Sequence, residues 1–211
     1  MNWNAFLKCF GDCPVIEPAM VYAGQPNART LQVQLSRWVA NNRLVKLARG
    51  KYMIAEPYRR IDPPLEHVAN RLVYPSYVSL ERALSWYGLI PESTPVVTSV
   101  TTRRPAVQET PLGTFRYRHV QSRLFFGFER VLLRGIEVII ALPEKALVDL
   151  FYFWSGPIPL SRIEEMRFQD LDQIDPGRLS SFARRIKLRK ITQGVERFLS
   201  YREVLSKEIS P

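Results

Sequence analysis

Residues 28–54 read ARTLQVQLSRWVANNRLVKLARGKYMI: an amphipathic helix, a short break, and two short strands around Arg49-Gly50. At about 100° per residue, Leu31, Leu35, Trp38 and Val39 share one narrow face and are expected to meet a core. Thr30, Val33 and Arg37 lie opposite, with Arg29, Gln34 and Ser36 on the flanks. An apolar Val33 on the wet face has no packing reason to be there. Contact with a thymine methyl gives it one, with Arg and Gln beside it to reach base edges; a stray exposed valine is the plainer alternative. In residues 43–48 and 51–55, Leu44, Leu47, Tyr52 and Ile54 are expected to anchor a hairpin whose turn glycine accepts positive φ. Arg43, Lys46, Arg49 and Lys51 project from it, with no acidic residue from the helix start to Glu56. Such cations suit phosphates, which position a protein without reading sequence. A helix followed by a basic hairpin is the tail of a winged helix-turn-helix, so double-stranded DNA is the first partner to consider.

Upstream, residues 2–10 place Trp3, Phe6, Leu7 and Phe10 at helical spacing. Residues 17–23 predict a second short helix with Pro18 in its first turn, where a missing N–H costs nothing. Gly24 and the 25–27 turn then lead into the third helix. Cys9 and Cys13 are the two cysteines, and with His67 and His119 they make no convincing zinc set. Two reduced, partly buried thiols in a cytosolic protein are expected.

Charge follows the same division. The chain of 211 residues carries a net charge of +10. Residues 1–60 hold nine Lys/Arg against three Asp/Glu, so the smaller part is the denser in positive charge and favours an anionic partner. The Met1 end lacks a basic stretch followed by an apolar one, and residues 138–142 are too short to span a bilayer. A cytoplasmic protein with no membrane partner is expected. The Pro-rich segment 57–64 (PYRRIDPP) is taken as a linker, dividing a DNA-binding domain at 1–56 from a C-terminal domain at 65–211. The expected class is therefore α+β: an N-terminal winged helix-turn-helix, then a larger mixed α/β domain ending in helices.

In that second part, residues 65–73 and 79–87 predict helices, the latter with Ser79 as N-cap and Gly88 at its end. Residues 95–102 and 113–121 are β-rich. In the second of these Phe115, Tyr117 and His119 share one face, Arg116, Arg118 and Val120 the other. His119 is thereby expected to be half-buried. Residues 125–134 and 136–142 form a hairpin turning at Arg134-Gly135. Pro143 opens a helix (PEKALVDLFYF) with Glu144 favourably placed in its first turn and Ala146, Leu147, Leu150 and Phe151 as its buried stripe. Asp175-Pro176 starts another helix. Between 178 and 190 lie Arg178, Arg184, Arg185, Lys187, Arg189 and Lys190 with no acid. A second nucleic-acid contact, a surface for an acidic partner, and a plain solvated face all fit this stretch.

No catalytic, cofactor-binding or metal-ligating set is expected. Neither a Gly-x-Ser-x-Gly turn nor a phosphate loop ending in Gly-Lys-Ser/Thr is present. A metal-dependent nuclease would need two carboxylates beside a lysine. Glu137 with Glu144-Lys145 comes nearest, but Glu and Lys are adjacent rather than one apart.

LARGKYMI (47–54), YVSLERALSWYGLIPE (77–92), VTSVTTRRPAVQETPLGTFRYRHV (97–120), FGFE (126–129) and ALPEKALVDLFY (141–152) together resemble the AbiEi antitoxin family. These are the antitoxins of bacterial type IV toxin–antitoxin systems that act in abortive infection, a defence against phage. The resemblance covers about residues 15–155 and is loosest beyond 160. It implies a transcriptional autorepressor whose winged helix binds inverted repeats in its own promoter. The C-terminal domain would share in repression and antitoxin action. The functional partner would be a nucleotidyltransferase-like toxin, counteracted without a stable complex. A stand-alone regulator, or a module that binds the toxin directly, are the alternatives.

Overall fold

The chain begins with α1 (Trp3–Phe10), whose N-cap Asn2 accepts a hydrogen bond from the Ala5 N–H at 2.9 Å. Its aromatic residues seed a small core: the Phe6 and Trp38 rings lie 4.6 Å apart and Trp3 stacks on Phe6. Helices α2 (Pro18–Tyr22) and α3 (Ala28–Ala40) follow. The structure is a computed structural model that describes residues 1–22, 28–91 and 95–209, side chains excepted at 22, 28, 29 and 206–209. The expected turn at 24–27, the last residue of the predicted 17–23 helix, and the Arg29 side chain lie outside the described residues.

Asn42 stops α3. It adopts the left-handed conformation (φ 52°) that asparagine tolerates better than most residues. Asn42 N–H then bonds Val39 O and Arg43 N–H bonds Trp38 O at 2.8 Å, the paired closure of a Schellman motif. The chain leaves directly into β1 (Leu44–Ala48) and returns as β2 (Lys51–Ile54), turning at Gly50 with φ +69°. Ile16 adds to β2 through two bonds with Tyr52, at 2.8 and 2.9 Å. The sequence pattern did not reveal this addition, because one bridging residue has no periodicity.

The larger part holds a six-stranded mixed sheet in the order β5-β6-β4-β3-β8-β7. Its strands are β3 (Ser76–Val78), β4 (Val97–Thr101), β5 (Ala106–Thr110), β6 (Gly113–His119), β7 (Phe128–Leu133) and β8 (Ile136–Ala141). β4 runs parallel to β6, and β3 parallel to β8; the other neighbours are antiparallel. Six helices belong to this part: α4 (Leu65–Leu72), α5 (Leu80–Trp86), α6 (Pro143–Phe153), α7 (Leu160–Glu165), α8 (Pro176–Ile186) and α9 (Arg189–Ile209). Successive strand residues face opposite ways, which places the helices. Tyr117 of β6 donates to Ala69 O on α4, while its neighbour Arg118 lies over Phe153 of α6. The two helices therefore cover opposite faces. The fold is α+β: an N-terminal helical region with a hairpin, then a larger mixed sheet domain.

Three local expectations are corrected. The Ser79 hydroxyl does not cap α5; it donates to Asp149 at 2.8 Å, because that buried carboxylate is within reach and has a stronger need for a donor. His119 is exposed and Val120 buried. β6 ends at His119, and its alternation lapses there. A His119 ring nitrogen meets Arg103 O at 2.9 Å instead of packing in the sheet. Finally, α6 is buried on every side from Glu144 to Phe151, its charged residues included, rather than along one stripe.

No described helix is long and apolar enough to cross a membrane. Both cysteines are free. Cys13 is half-buried, but Cys9 is exposed, being outside the α1 face that Phe6 buries.

Candidate nucleic-acid interface

Leu31, Leu35 and Trp38 are buried, and Val39 is half-buried beside them. That leaves the opposite face of α3 to solvent. Val33 is 48% exposed and Thr30 and Arg37 are exposed, so the angular reading of this helix holds residue by residue. Arg37 forms no ion pair among the described residues. The flanks differ from each other. Ser36 Oγ donates to Gln32 O at 3.0 Å, which ties it to its own helix. Gln34 is half-buried, and its Oε1 is a buried acceptor without a hydrogen bond.

The hairpin is held more firmly than a freely projecting wing. Leu44, Tyr52 and Ile54 join the small core of Phe6, Leu35 and Trp38. Leu47 and Met53, with Val15, instead join the large core of the sheet domain. The side chains alternate across β1, so Leu44 and Leu47 face opposite ways and each serves a different core.

This packing sorts the four predicted phosphate ligands. Lys46 and Arg49 are exposed. Arg43 is half-buried, with its guanidinium 5.3 Å from the Trp3 ring centre. Lys51 does not project freely: its ammonium meets Glu17 at 2.9 Å. The same Glu17 oxygen takes Arg71 of α4 at 2.6 Å. Glu17 thus ties the hairpin to the sheet domain, 34 residues before Lys51, where no local pattern could signal it. Burial alone would raise the Glu17 carboxyl, but the hydrogen bonds and charges of Lys51 and Arg71 outweigh it and hold the group below the usual glutamate range.

The basic stretch 178–190 is sorted the same way. Arg178 approaches Glu144 at 3.8 Å and Asp175 at 3.6 Å. Arg185 stacks on Phe126, with the guanidinium 3.8 Å from the ring centre. Lys190 donates to Trp154 O at 2.5 Å and Tyr152 O at 3.2 Å, capping the carbonyl end of α6. Arg178 and Arg185 stay exposed despite these contacts, as do Arg184, Lys187 and Arg189, and Lys190 is half-buried. Asp175 caps α8 as expected, accepting from Gly177 and Arg178 N–H groups.

Charges inside the sheet domain form a closed set. Lys145 pairs with Asp149, whose other oxygen accepts from Tyr77 at 2.9 Å and Ser79 at 2.8 Å. Burial first, then the Asp149 charge, pushes the Tyr77 phenol well above its usual range, so it remains a donor. Glu144 accepts from the Asp175 N–H at 2.8 Å, fixing the start of α8 on α6. Glu144 lies in the first turn of α6 as expected, and it is also a buried tie between helices. Glu137 sits apart, exposed and 3.5 Å from Arg130. Lys145, fully buried on Asp149, does not reach the surface where Glu137 stands, so these three residues do not form the nuclease constellation. The described residues include no cluster of three or more His, Cys, Asp or Glu placed to hold a metal.

Neither models of known protein families nor the curated proteins gave a match to this chain.

Proposed function

We propose that this chain is a DNA-binding transcriptional autorepressor and the antitoxin of a type IV, AbiE-like toxin–antitoxin pair. In this reading α1–α3 and the hairpin work as a winged helix-turn-helix. The exposed face of α3 enters the major groove, with Val33 against a thymine methyl and Arg37 on a base edge. Lys46 and Arg49 contact flanking phosphates, and the target is an inverted repeat in the chain's own promoter. The observation that carries the reading is the open Val33–Arg37 face on a helix whose other side is fully committed to the core. The net charge of +10 supports an anionic partner. The Glu17–Lys51 pair leaves Lys46 and Arg49, rather than Lys51, for phosphates.

The antitoxin half of the proposal rests on the sequence motifs of residues 77–152. A nucleotidyltransferase-like toxin is the functional partner, neutralised without a stable complex. Its test is growth rescue. Cells carrying the neighbouring toxin gene should recover when this chain is expressed, while the two proteins fail to co-purify at physiological salt. Repression of the chain's own promoter without rescue would reduce it to a stand-alone regulator. Rescue with co-purification would make it a direct toxin-binding module.

A further inference from the structure

On the α6 side of the sheet, Thr98, Arg116, Arg118, Phe153, Trp154 and Arg162 line a cleft of about 240 Å³. The alternation of β6 sends Arg116 and Arg118 to one face, next to Thr98 of β4. Arg162 arrives from α7. The Arg118 guanidinium lies 4.6 Å from the Phe153 ring centre, and that of Arg162 4.1 Å from the Trp154 ring centre. Stacking of this kind fixes the plane of a guanidinium while leaving its N–H edges to bind; Arg162 gives one of its own to Ser155 O at 3.4 Å and keeps the rest.

None of the three arginines meets a carboxylate in an ion pair among the described residues. Elsewhere Glu17, Glu66, Glu144 and Asp149 each sit beside a basic partner. Lys190 adds further positive charge. Its ammonium is pushed below the usual lysine range, by burial first and by the charge of Arg162 second. Three guanidinium groups line the cleft against a single carboxylate, Glu81, so the lining keeps an excess of positive charge that a dianion would offset.

We propose that this cleft binds a small sugar phosphate, with the phosphomonoester on Arg116, Arg118 and Arg162. Planar forks of this type match phosphate oxygens in pairs. The volume falls below the usual pocket for a drug-sized ligand, and suits a phosphate with one sugar ring. Glu81 also lines the cleft. A carboxylate opposes an anion but accepts hydrogen bonds from sugar hydroxyls. Thr98 Oγ1 donates to Ser79 O at 2.8 Å and keeps its lone pairs for the same purpose. Leu150 and Phe153 supply the apolar wall.

The test is calorimetric titration of the full chain with ribose 5-phosphate, ribose and inorganic phosphate. Ribose 5-phosphate should bind at one site, inorganic phosphate more weakly, and ribose not at all. Arg116→Ala with Arg162→Ala should weaken ribose 5-phosphate by about tenfold or more, while Arg49→Ala on the hairpin binds it as the unsubstituted chain does. Arg116→Glu, at an exposed strand position, gives a second variant with the fold checked by circular dichroism. It should abolish binding. No saturable heat with ribose 5-phosphate, or equal affinity in the cleft variants, would overturn the proposal. So would loss of duplex DNA affinity in those variants without any sugar-phosphate binding, which would make the arginines a DNA-backbone surface.

Discussion

Two stretches of this chain look alike in composition, residues 29–51 and residues 178–190, each with six or more cations and no acid. Their structures differ. In the first, Arg37, Lys46 and Arg49 stand exposed, Arg43 lies half-buried beside the Trp3 ring, and Lys51 is held by Glu17. In the second, Arg178, Arg185 and Lys190 are engaged with Glu144, Phe126 and the end of α6. Positive charge in a sequence is therefore not one property. Where a carboxylate, an aromatic face or a helix's carbonyl end lies within reach, a cation is engaged, whether it stays exposed as Arg178 and Arg185 do or is half-buried as Lys190 and Arg43 are. Arg37, Lys46 and Arg49 have no such partner among the described residues. Substitution of the engaged cations Arg178, Arg185 and Lys190 should cost stability, and substitution of Arg37, Lys46 or Arg49 should leave it intact.

The largest effect belongs to the buried charge set of α6. Asp149→Ala leaves Lys145 buried without a counter-charge and strips the acceptor from Tyr77 and Ser79. A loss of about 3–5 kcal/mol in denaturant unfolding is expected. A change under 1 kcal/mol would show that water reaches Lys145. Lys190→Met removes two hydrogen bonds from the end of α6, at about 1–2 kcal/mol. If it proves neutral in stability, Lys190 belongs with the open cations and the contrast between the regions weakens.

Glu17 tests the ion-paired cation of the first region. Glu17→Gln should cost about 1 kcal/mol at neutral pH. A carboxyl depressed in the fold contributes fully above its unfolded value, near the ordinary 4.5. The contribution is lost as pH falls through the lower folded value. The stability gap between Glu17→Gln and the unsubstituted chain should therefore close on acidification below about pH 4. A gap that persists in acid would point to packing rather than charge. The smallest effect on stability, within about 0.5 kcal/mol, is expected of Lys46→Ala. It should instead weaken binding to all DNA alike and reduce the salt slope by about one unit.

The comparison also marks what the sequence could convey. The buried and wet faces of α3, the hairpin and its glycine turn, the helix begun by Pro143 and the Asp175 cap follow from spacing and local chemistry. β3 was not legible, because three residues are too few to show a period. β5, as AVQET, has polar residues on both faces and so no alternation to read. Ser79 looked like a cap because its true partner, Asp149, lies 70 residues away. The same distance effect hid Glu17 beneath Lys51, and hid the meeting of Arg162 with Arg116 and Arg118. Pairings within a turn of helix can be read from the sequence; pairings made by the sheet cannot.

The open face of α3 is the centre of the account, and Arg37 is the residue on which it turns. Binding of the chain to a duplex from its own promoter and to a scrambled duplex, followed by fluorescence anisotropy at fixed salt, tests it directly. The unsubstituted chain should prefer the promoter duplex. Arg37→Ala should lose about 1–3 kcal/mol of that preference while its thermal unfolding stays unchanged. Equal affinity of the unsubstituted chain for both duplexes, or a preference untouched by Arg37→Ala, would contradict it.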